Sequence, residues 1–243
     1  MTTILHAVGT RPNLVKMAPV LEALEQRSTI RQVLVHTGQH YDSALSDDIL
    51  VDLELRRPDR FLGVGSGTHA EQVARTMLAF EHALVEERPD LVVVAGDVNS
   101  TVACALTAAK CGIPVAHVEA GLRSFDWSMP EELNRVLTDR LSAYLFTHSP
   151  EAAENLAREG IAESSVYYVG NTMIDTLRKF ERRARDRAAW RESGLDERRY
   201  VLITLHRPSN VDDPARLSAL VEGLIALATR IPVVFPVHPR TRA

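Results

Sequence analysis

Cysteine is nearly absent from this chain, charge of one sign is not in large excess, and no apolar run is long enough to cross a bilayer. The two cysteines among 243 residues are Cys104 and Cys111. They share one short, helical-looking stretch, which argues against a bridge. Both read as small buried apolar side chains in a reducing compartment. A formal net charge of -4 gives no reason to expect nucleic acid or an anionic membrane as partner. No stretch approaches the ~20 continuous apolar residues of a membrane span. The start, Met1 to Val8, lacks the basic region that precedes a secretory apolar run. The expectation is a cytoplasmic protein. Low-complexity tracts are missing as well.

What is present is ordinary for a globular chain: 45% hydrophobic and 25% charged residues. The length suits one full domain plus a second, or part of a second. Short apolar runs alternate with longer amphipathic segments, the pattern of βαβ units around a parallel sheet. Strands are expected at about 2–8, 32–37, 90–96, 114–119, 143–148 and 166–169, with a weaker one near 61–64. Val92 to Ala95 and Val115 to Val118 suit strands buried on both faces. Helices fit His69 to Glu87, Ser100 to Lys110 and Pro130 to Ala143, and Pro12 and Pro130 suit first helical turns.

The fold class expected is therefore α/β: a Rossmann-like parallel-sheet domain over 1–170, a helical connector over 171–198, and the beginning of a second Rossmann-like, nucleotide-binding domain over 199–243. The connector is strongly basic, with nine Arg/Lys against five Asp/Glu over 178–199, and reads as a solvated helix face. After it, Tyr200 to Leu205 and Ile231 to Val237 read as strands around a helix from Asp213 to Arg230. Pro236 makes inner pairing of the last strand awkward. Two strands and one helix cannot close a parallel domain with its own core, so this second domain is expected to be incomplete.

In open α/β sheets, ligands bind beyond the carboxyl ends of the strands. The least generic polar residues stand there: Gly9-Thr-Arg-Pro-Asn13, Thr37-Gly-Gln-His40, Gly96-Asp97-Val-Asn-Ser-Thr101, His117-Val-Glu-Ala-Gly-Leu-Arg123 and His206-Arg-Pro-Ser-Asn210. Any one of these is explained by helix capping, for which Asp97, Asn99 and Ser100 are ordinary residues. Five on one edge point to a site. Two of the loops, Thr10-Arg-Pro-Asn13 and His206-Arg-Pro-Ser-Asn210, echo each other, which fits two similar domains whose loops face across a cleft but is too short to prove duplication. Gly65-Ser-Gly-Thr-His-Ala70 matches a dinucleotide fingerprint, but Phe61 to Val64 is too short and glycine-rich to be its first strand, so NAD is set aside.

The densest chemistry lies in Glu119 to Arg135, which packs Glu119, Arg123, Asp126, Glu131, Glu132 and Arg135 into a strand end, a loop and a helix start. Acids after Pro130 complement a helix dipole. Glu119 ends an apolar strand with no capping role. Carboxylates gathered in a cleft serve as acid or base.

These motifs, in this order, resemble the non-hydrolysing UDP-N-acetylglucosamine 2-epimerases: Gly9-Thr-Arg-Pro with Lys16-Met-Ala-Pro19, Thr37-Gly-Gln-His40, Gly96-Asp97, His117 to Arg123, Met129-Pro-Glu-Glu132, Gly170-Asn171 with Asp175, and His206-Arg-Pro. The resemblance runs over essentially the whole chain. It implies the GT-B arrangement, two Rossmann-like domains with the active site between them, and commonly a homodimer. It also implies interconversion of UDP-N-acetylglucosamine and UDP-N-acetylmannosamine: a base removes the proton on sugar carbon 2, UDP leaves carbon 1, and UDP adds back as a proton arrives on the other face. That route requires no redox cofactor and no metal. By the same resemblance Asp97, Glu119 and Glu131, with His206 from the opposite lobe, are the catalytic candidates. Arg11, Lys16 and Arg123 are the substrate-binding candidates, and cations there would stabilise the departing diphosphate. Gln39, His40, Arg207 and His238 resemble positions near a regulatory UDP-sugar site. Two departures stand out. Asn13 replaces a frequent glutamate, and the family's chain continues beyond Ala243 with loops that hold the nucleotide, so a chain ending there is expected to be barely active. Two other readings compete: a GT-B UDP-sugar glycosyltransferase, which would not need three carboxylates around carbon 2, and a non-catalytic remnant that binds sugar nucleotide.

Overall fold

The computed structural model describes residues 1–38, 43–205, 208–237 and 241. The chain divides into two compact units, Met1–Phe180 and Glu181–Ala243.

In the first unit, strands β1 (Thr2–Val8), β2 (Ile30–His36), β3 (Arg60–Phe61), β4 (Leu91–Ala95), β5 (Val115–Ala120), β6 (Tyr144–Thr147) and β7 (Val166–Tyr168) form one sheet in the order β3-β2-β1-β4-β5-β6-β7. Every neighbouring pair is parallel. The connecting helices are α1 (Arg11–Glu25), α2 (Ser43–Asp52), α3 (His69–Glu87), α4 (Asn99–Lys110), α5 (Pro130–Leu141) and α6 (Pro150–Arg158), and α7 (Thr172–Arg187) follows β7.

Alternation along the strands sends side chains into two cores, which explains why the central runs are apolar throughout. On one side Ile4, Val8, Leu34 and Val93 meet Leu14, Met17 and Leu21 of α1, Leu50 of α2 and Leu53 just after it. On the other, Leu5, Val33, Val92, Val94 and Val115 meet Phe80 and Leu84 of α3 and Cys104, Ala105 and Ala108 of α4. Each large side chain enclosed here contributes roughly 1.5–3 kcal/mol of transfer free energy. The strand order reverses direction between β1 and β4, so the loops after these two strands flank a crevice at the carboxyl edge.

The second unit holds β8 (Val201–Leu202) paired in parallel with β9 (Val233–Val234), and helices α8 (Pro208–Val211) and α9 (Pro214–Ala228). Both strands are shorter than the apolar runs that contain them. Pro232 and Pro236 bracket β9 and remove the backbone donors a longer ladder would use.

Other expectations shift too. The long helix after Gly170 stops at Arg187, where Ala188 takes a left-handed conformation (φ 47°), and a single 3-10 turn, Ala189–Ser193, runs to Gly194. Cys104 is buried as expected, but Cys111 caps the end of α4 and is exposed, so only one of the two thiols is a core side chain. Among the described residues no helix is long and apolar enough to cross a membrane.

Candidate active site

The crevice is built first from the turn between β1 and α1. Gly9 approaches Ser100 and Thr37 so closely that any Cβ there would collide with both hydroxyls. Asn13, 2% exposed, closes the turn. Its Oδ1 accepts from the Gly9 N–H at 3.1 Å and the Thr10 N–H at 3.0 Å, and its Nδ2 donates to the Ala95 carbonyl at 2.7 Å. One neutral amide thus accepts from the first loop and donates to the end of β4. A glutamate at 13 would have to leave the Ala95 carbonyl without that donor. The departure at position 13 therefore has a structural role.

One turn further along α1, Lys16 Nζ lies 2.5 Å from Glu119 Oε1, with side chains only 9% and 13% exposed. Lys16 reaches this spot because residue 96 is glycine: Gly96 takes φ 68°, and a Cβ on it would lie 2.7 Å from Nζ. Glu119 is itself unusual. It adopts φ 71°, in the left-handed region, and the register between β5 and β6 shifts between Val118 and Ala120. A bulge re-aims one side chain out of the alternation, and left-handed backbone at a non-glycine residue stores on the order of 1–3 kcal/mol. Such strain persists where the surrounding structure over-determines it.

Beside Gly96, Asp97 accepts from Arg135 Nη2 at 2.6 Å and from Nε at 3.0 Å. Arg135 is tied in turn to Glu132 at 2.9 Å. Glu132 is buried and accepts the backbone N–H groups of Ser124 and Phe125 at 2.9 Å each. Burial pushes the Glu132 carboxyl up, but these N–H groups and Arg135 outweigh it and hold the carboxyl below its ordinary range. For Arg135, burial opposes the charge and the Asp97 carboxylate restores it, with a net upward shift. Asn134 adds a donor to the Asp97 carbonyl at 2.9 Å.

The structure thus sets the Lys16–Glu119 pair and Asp97 at neighbouring strand ends on the sheet's carboxyl edge. Glu131 stands half-buried in the first turn of α5, one residue from Glu132. Arg11, the first residue of α1, is exposed. The Arg123 side chain is 1% exposed and its guanidinium is divided between Asp139 at 2.8 Å and Glu159 at 2.7 Å. Those two carboxylates and the Leu122 carbonyl engage the guanidinium in this structure. His206, Gln39, His40, Arg207 and His238 lie outside the described residues. Among the described residues no three His, Cys, Asp or Glu side chains converge to hold a metal ion.

The model of the family described as UDP-N-acetylglucosamine 2-epimerase matches residues 22–243. The chain belongs to that family. It is 44% identical to the UDP-N-acetylglucosamine 2-epimerase of Methanocaldococcus jannaschii, over 97% of this chain and 65% of the relative. It is 41% identical to the UDP-2,3-diacetamido-2,3-dideoxy-D-glucuronate 2-epimerase of Pseudomonas aeruginosa, over 98% and 67%. The crystal structure of the M. jannaschii UDP-GlcNAc 2-epimerase in complex with UDP-GlcNAc and UDP superposes with a TM-score of 0.92 at 43% identity, covering 100% of this chain and 67% of that one. The chain spans about two thirds of the length of these relatives. Its fold is that of the GT-B epimerase structures over the part they share.

For this member of the epimerase family, sequence reasoning noted Asn13, Glu132 and Arg135 without giving them a role, and passed over Asn134. Arg135 was signalled: it lies four residues after Glu131 and three after Glu132, on the turn-by-turn face of one helix. The role of Asn13 was only partly signalled, because beside its local bonds to Gly9 and Thr10 it donates to a strand 82 residues away.

Proposed function

We propose that the protein interconverts UDP-N-acetylglucosamine and UDP-N-acetylmannosamine by eliminating and re-adding UDP at sugar carbon 1, with proton exchange at carbon 2. One observation carries the reading: a strained, bulge-held Glu119 paired with Lys16 at the sheet's switch point, beside Asp97. Carbon 2 is a weak acid and exchanges its proton on either face, so it needs carboxylates on more than one side. Glu119, Asp97 and Glu131 supply them. Lys16, with Arg11 exposed at the start of the same helix, is placed for a diphosphate that gains charge as the carbon 1–oxygen bond breaks and its electron pair goes to UDP. An incoming diphosphate competes with Glu119 for Lys16, which would free the carboxylate when substrate is present. By the family resemblance His206 is a further catalytic candidate, and Gln39, His40, Arg207 and His238 are candidates for a second UDP-sugar site. The reading carries a cytoplasmic homodimer with it, to be checked by sedimentation.

The test is incubation in heavy water with the UDP-sugar, following carbon 2 by NMR. Deuterium at carbon 2 with both epimers present supports the proposal. Sugar transfer or hydrolysis without exchange would turn it toward the glycosyltransferase reading, and binding without turnover toward a remnant. UDP-2,3-diacetamido-2,3-dideoxy-D-glucuronate belongs in the same assay, because a relative named for that sugar is as similar as those named for UDP-N-acetylglucosamine.

A further inference from the structure

Beneath the crevice lies a buried network that the chemistry above does not use. His117 is 0% exposed, on the strand that carries Glu119. Its Nε2 lies 2.9 Å from the Gly96 carbonyl, and its Nδ1 lies 2.6 Å from Asp139 Oδ1 on α5. Asp139, 1% exposed, accepts the Gly121 N–H at 3.0 Å through its other oxygen and meets Arg123 at 2.8 Å. Arg123 is held by Glu159 through two bonds of 2.7 Å.

A peptide carbonyl can only accept, and the Arg123 guanidinium keeps Asp139 in its accepting form. His117 therefore presents its Nε2 N–H to the Gly96 carbonyl while its Nδ1 lies against the Asp139 carboxylate. Enclosed ions of this kind are often no better for stability than apolar side chains of similar volume, so stability alone does not account for them. Their geometry does. The network's two backbone anchors are Gly96, which precedes Asp97, and Gly121, two residues after Glu119.

We propose that His117 and Asp139 are positioning residues: they fix the separation and aim of Asp97 and Glu119 by clamping Gly96 and Gly121 to a common buried frame. The inference rests on the reading of Asp97 and Glu119 as the groups that work on the sugar. A displacement of about 1 Å in such a pair costs on the order of 100-fold in rate, and the loss falls on turnover rather than binding.

The experiment compares His117→Leu with His117→Gln, whose amide reaches the Gly96 carbonyl, and with Asp139→Asn. Amide NMR spectra of the chain report Gly96, Asp97 and Glu119, and the carbon 2 exchange assay reports kcat and KM. The expected result is a folded His117→Leu protein with these three resonances displaced, kcat down by about 10- to 100-fold and KM within about twofold. His117→Gln should restore most of both. Loss of thermal stability with the three resonances unmoved would make His117 a plain core residue and overturn the proposal. If His117→Leu does not fold, the same resonances in Asp139→Asn decide it, displaced in support or unmoved against. If the wild type exchanges no deuterium, that result counts against the proposed reaction, while the resonances still test the frame.

Discussion

The two units contain similar apolar patterns and make different use of them. In the first, Phe80 of α3 and Leu5 of β1 are 0% exposed, because helices cover both faces of a seven-stranded sheet. In the second, α9 carries Leu217, Leu220, Val221, Leu224 and Leu227 as a half-buried stripe, and not one residue of the helix is fully buried. Its sheet partner is two strands of two residues. The contrast shows that periodicity sets which face of a helix turns inward, while the number of covering layers sets how much that face is worth. The described candidate residues all belong to the first unit, and a strained Glu119 is tolerable only where such a frame holds it.

The sharpest way to break this comparison is to unload the frame. Lys16→Met leaves Glu119 largely enclosed without its partner, at a cost of about 3–5 kcal/mol. Chemical denaturation should show the first unit losing that amount. Glu119→Gln should cost less stability but lower carbon 2 exchange by on the order of 100-fold or more. An unchanged exchange rate in Glu119→Gln would remove Glu119 from the mechanism.

Next in size is a matched pair of truncations. Phe80→Ala, at a fully enclosed site, should destabilise the first unit by about 3–5 kcal/mol. Ile225→Ala, at a position 63% exposed in α9, should change stability by no more than about 0.5 kcal/mol. Similar values for the two would mean that α9 is packed as firmly as α3.

Acid offers a third contrast. Burial first, and the positive charge of Arg56 second, lower His6 on β1 from 6.5 to about 4. The unfolded chain therefore takes up a proton near pH 6.5 that the native state refuses until about pH 4. Stability is full above the upper value and falls as pH drops between the two, by up to about 3 kcal/mol. His6→Leu should flatten that part of the stability curve. A slope that survives the substitution would assign it to other groups.

How much of this was legible beforehand depends on the range of the contacts involved. The central strands were readable because burial on both faces leaves runs such as Val92 to Ala95 without polar interruptions. The clustering of polar residues at strand ends was readable from parallel topology alone. Glu119 could be singled out as a carboxylate with no capping duty, but its left-handed backbone has no sequence mark, since glycine is the residue that normally announces such a site. The partners of Arg123 were not legible, because Asp139 of α5 and Glu159 at the end of α6 are brought beside it only by the fold. Helix α6 was passed over although Ser149 and Pro150 announce it as N-cap and first residue. The bracketing prolines around β9 were visible, yet the extent to which they shorten the strand depended on pairing with β8.

The smallest effect tests the same contrast through helix caps. Thr68 caps α3 by accepting from the Glu71 N–H at 3.3 Å, and Glu71 returns a bond to the Thr68 N–H at 2.8 Å. Asp213 caps α9 by accepting from the Ala215 N–H at 2.9 Å. Replacing either by alanine costs its helix about 1 kcal/mol. The consequence should differ, because α3 is locked to the sheet through Phe80 and Leu84 and unfolds with it. Thr68→Ala should therefore lower the global unfolding free energy of the first unit by the whole amount, while Asp213→Ala should appear as faster amide exchange in the first turns of α9 with global unfolding of the first unit unmoved. Equal shifts in both measurements would show that the two units unfold as one.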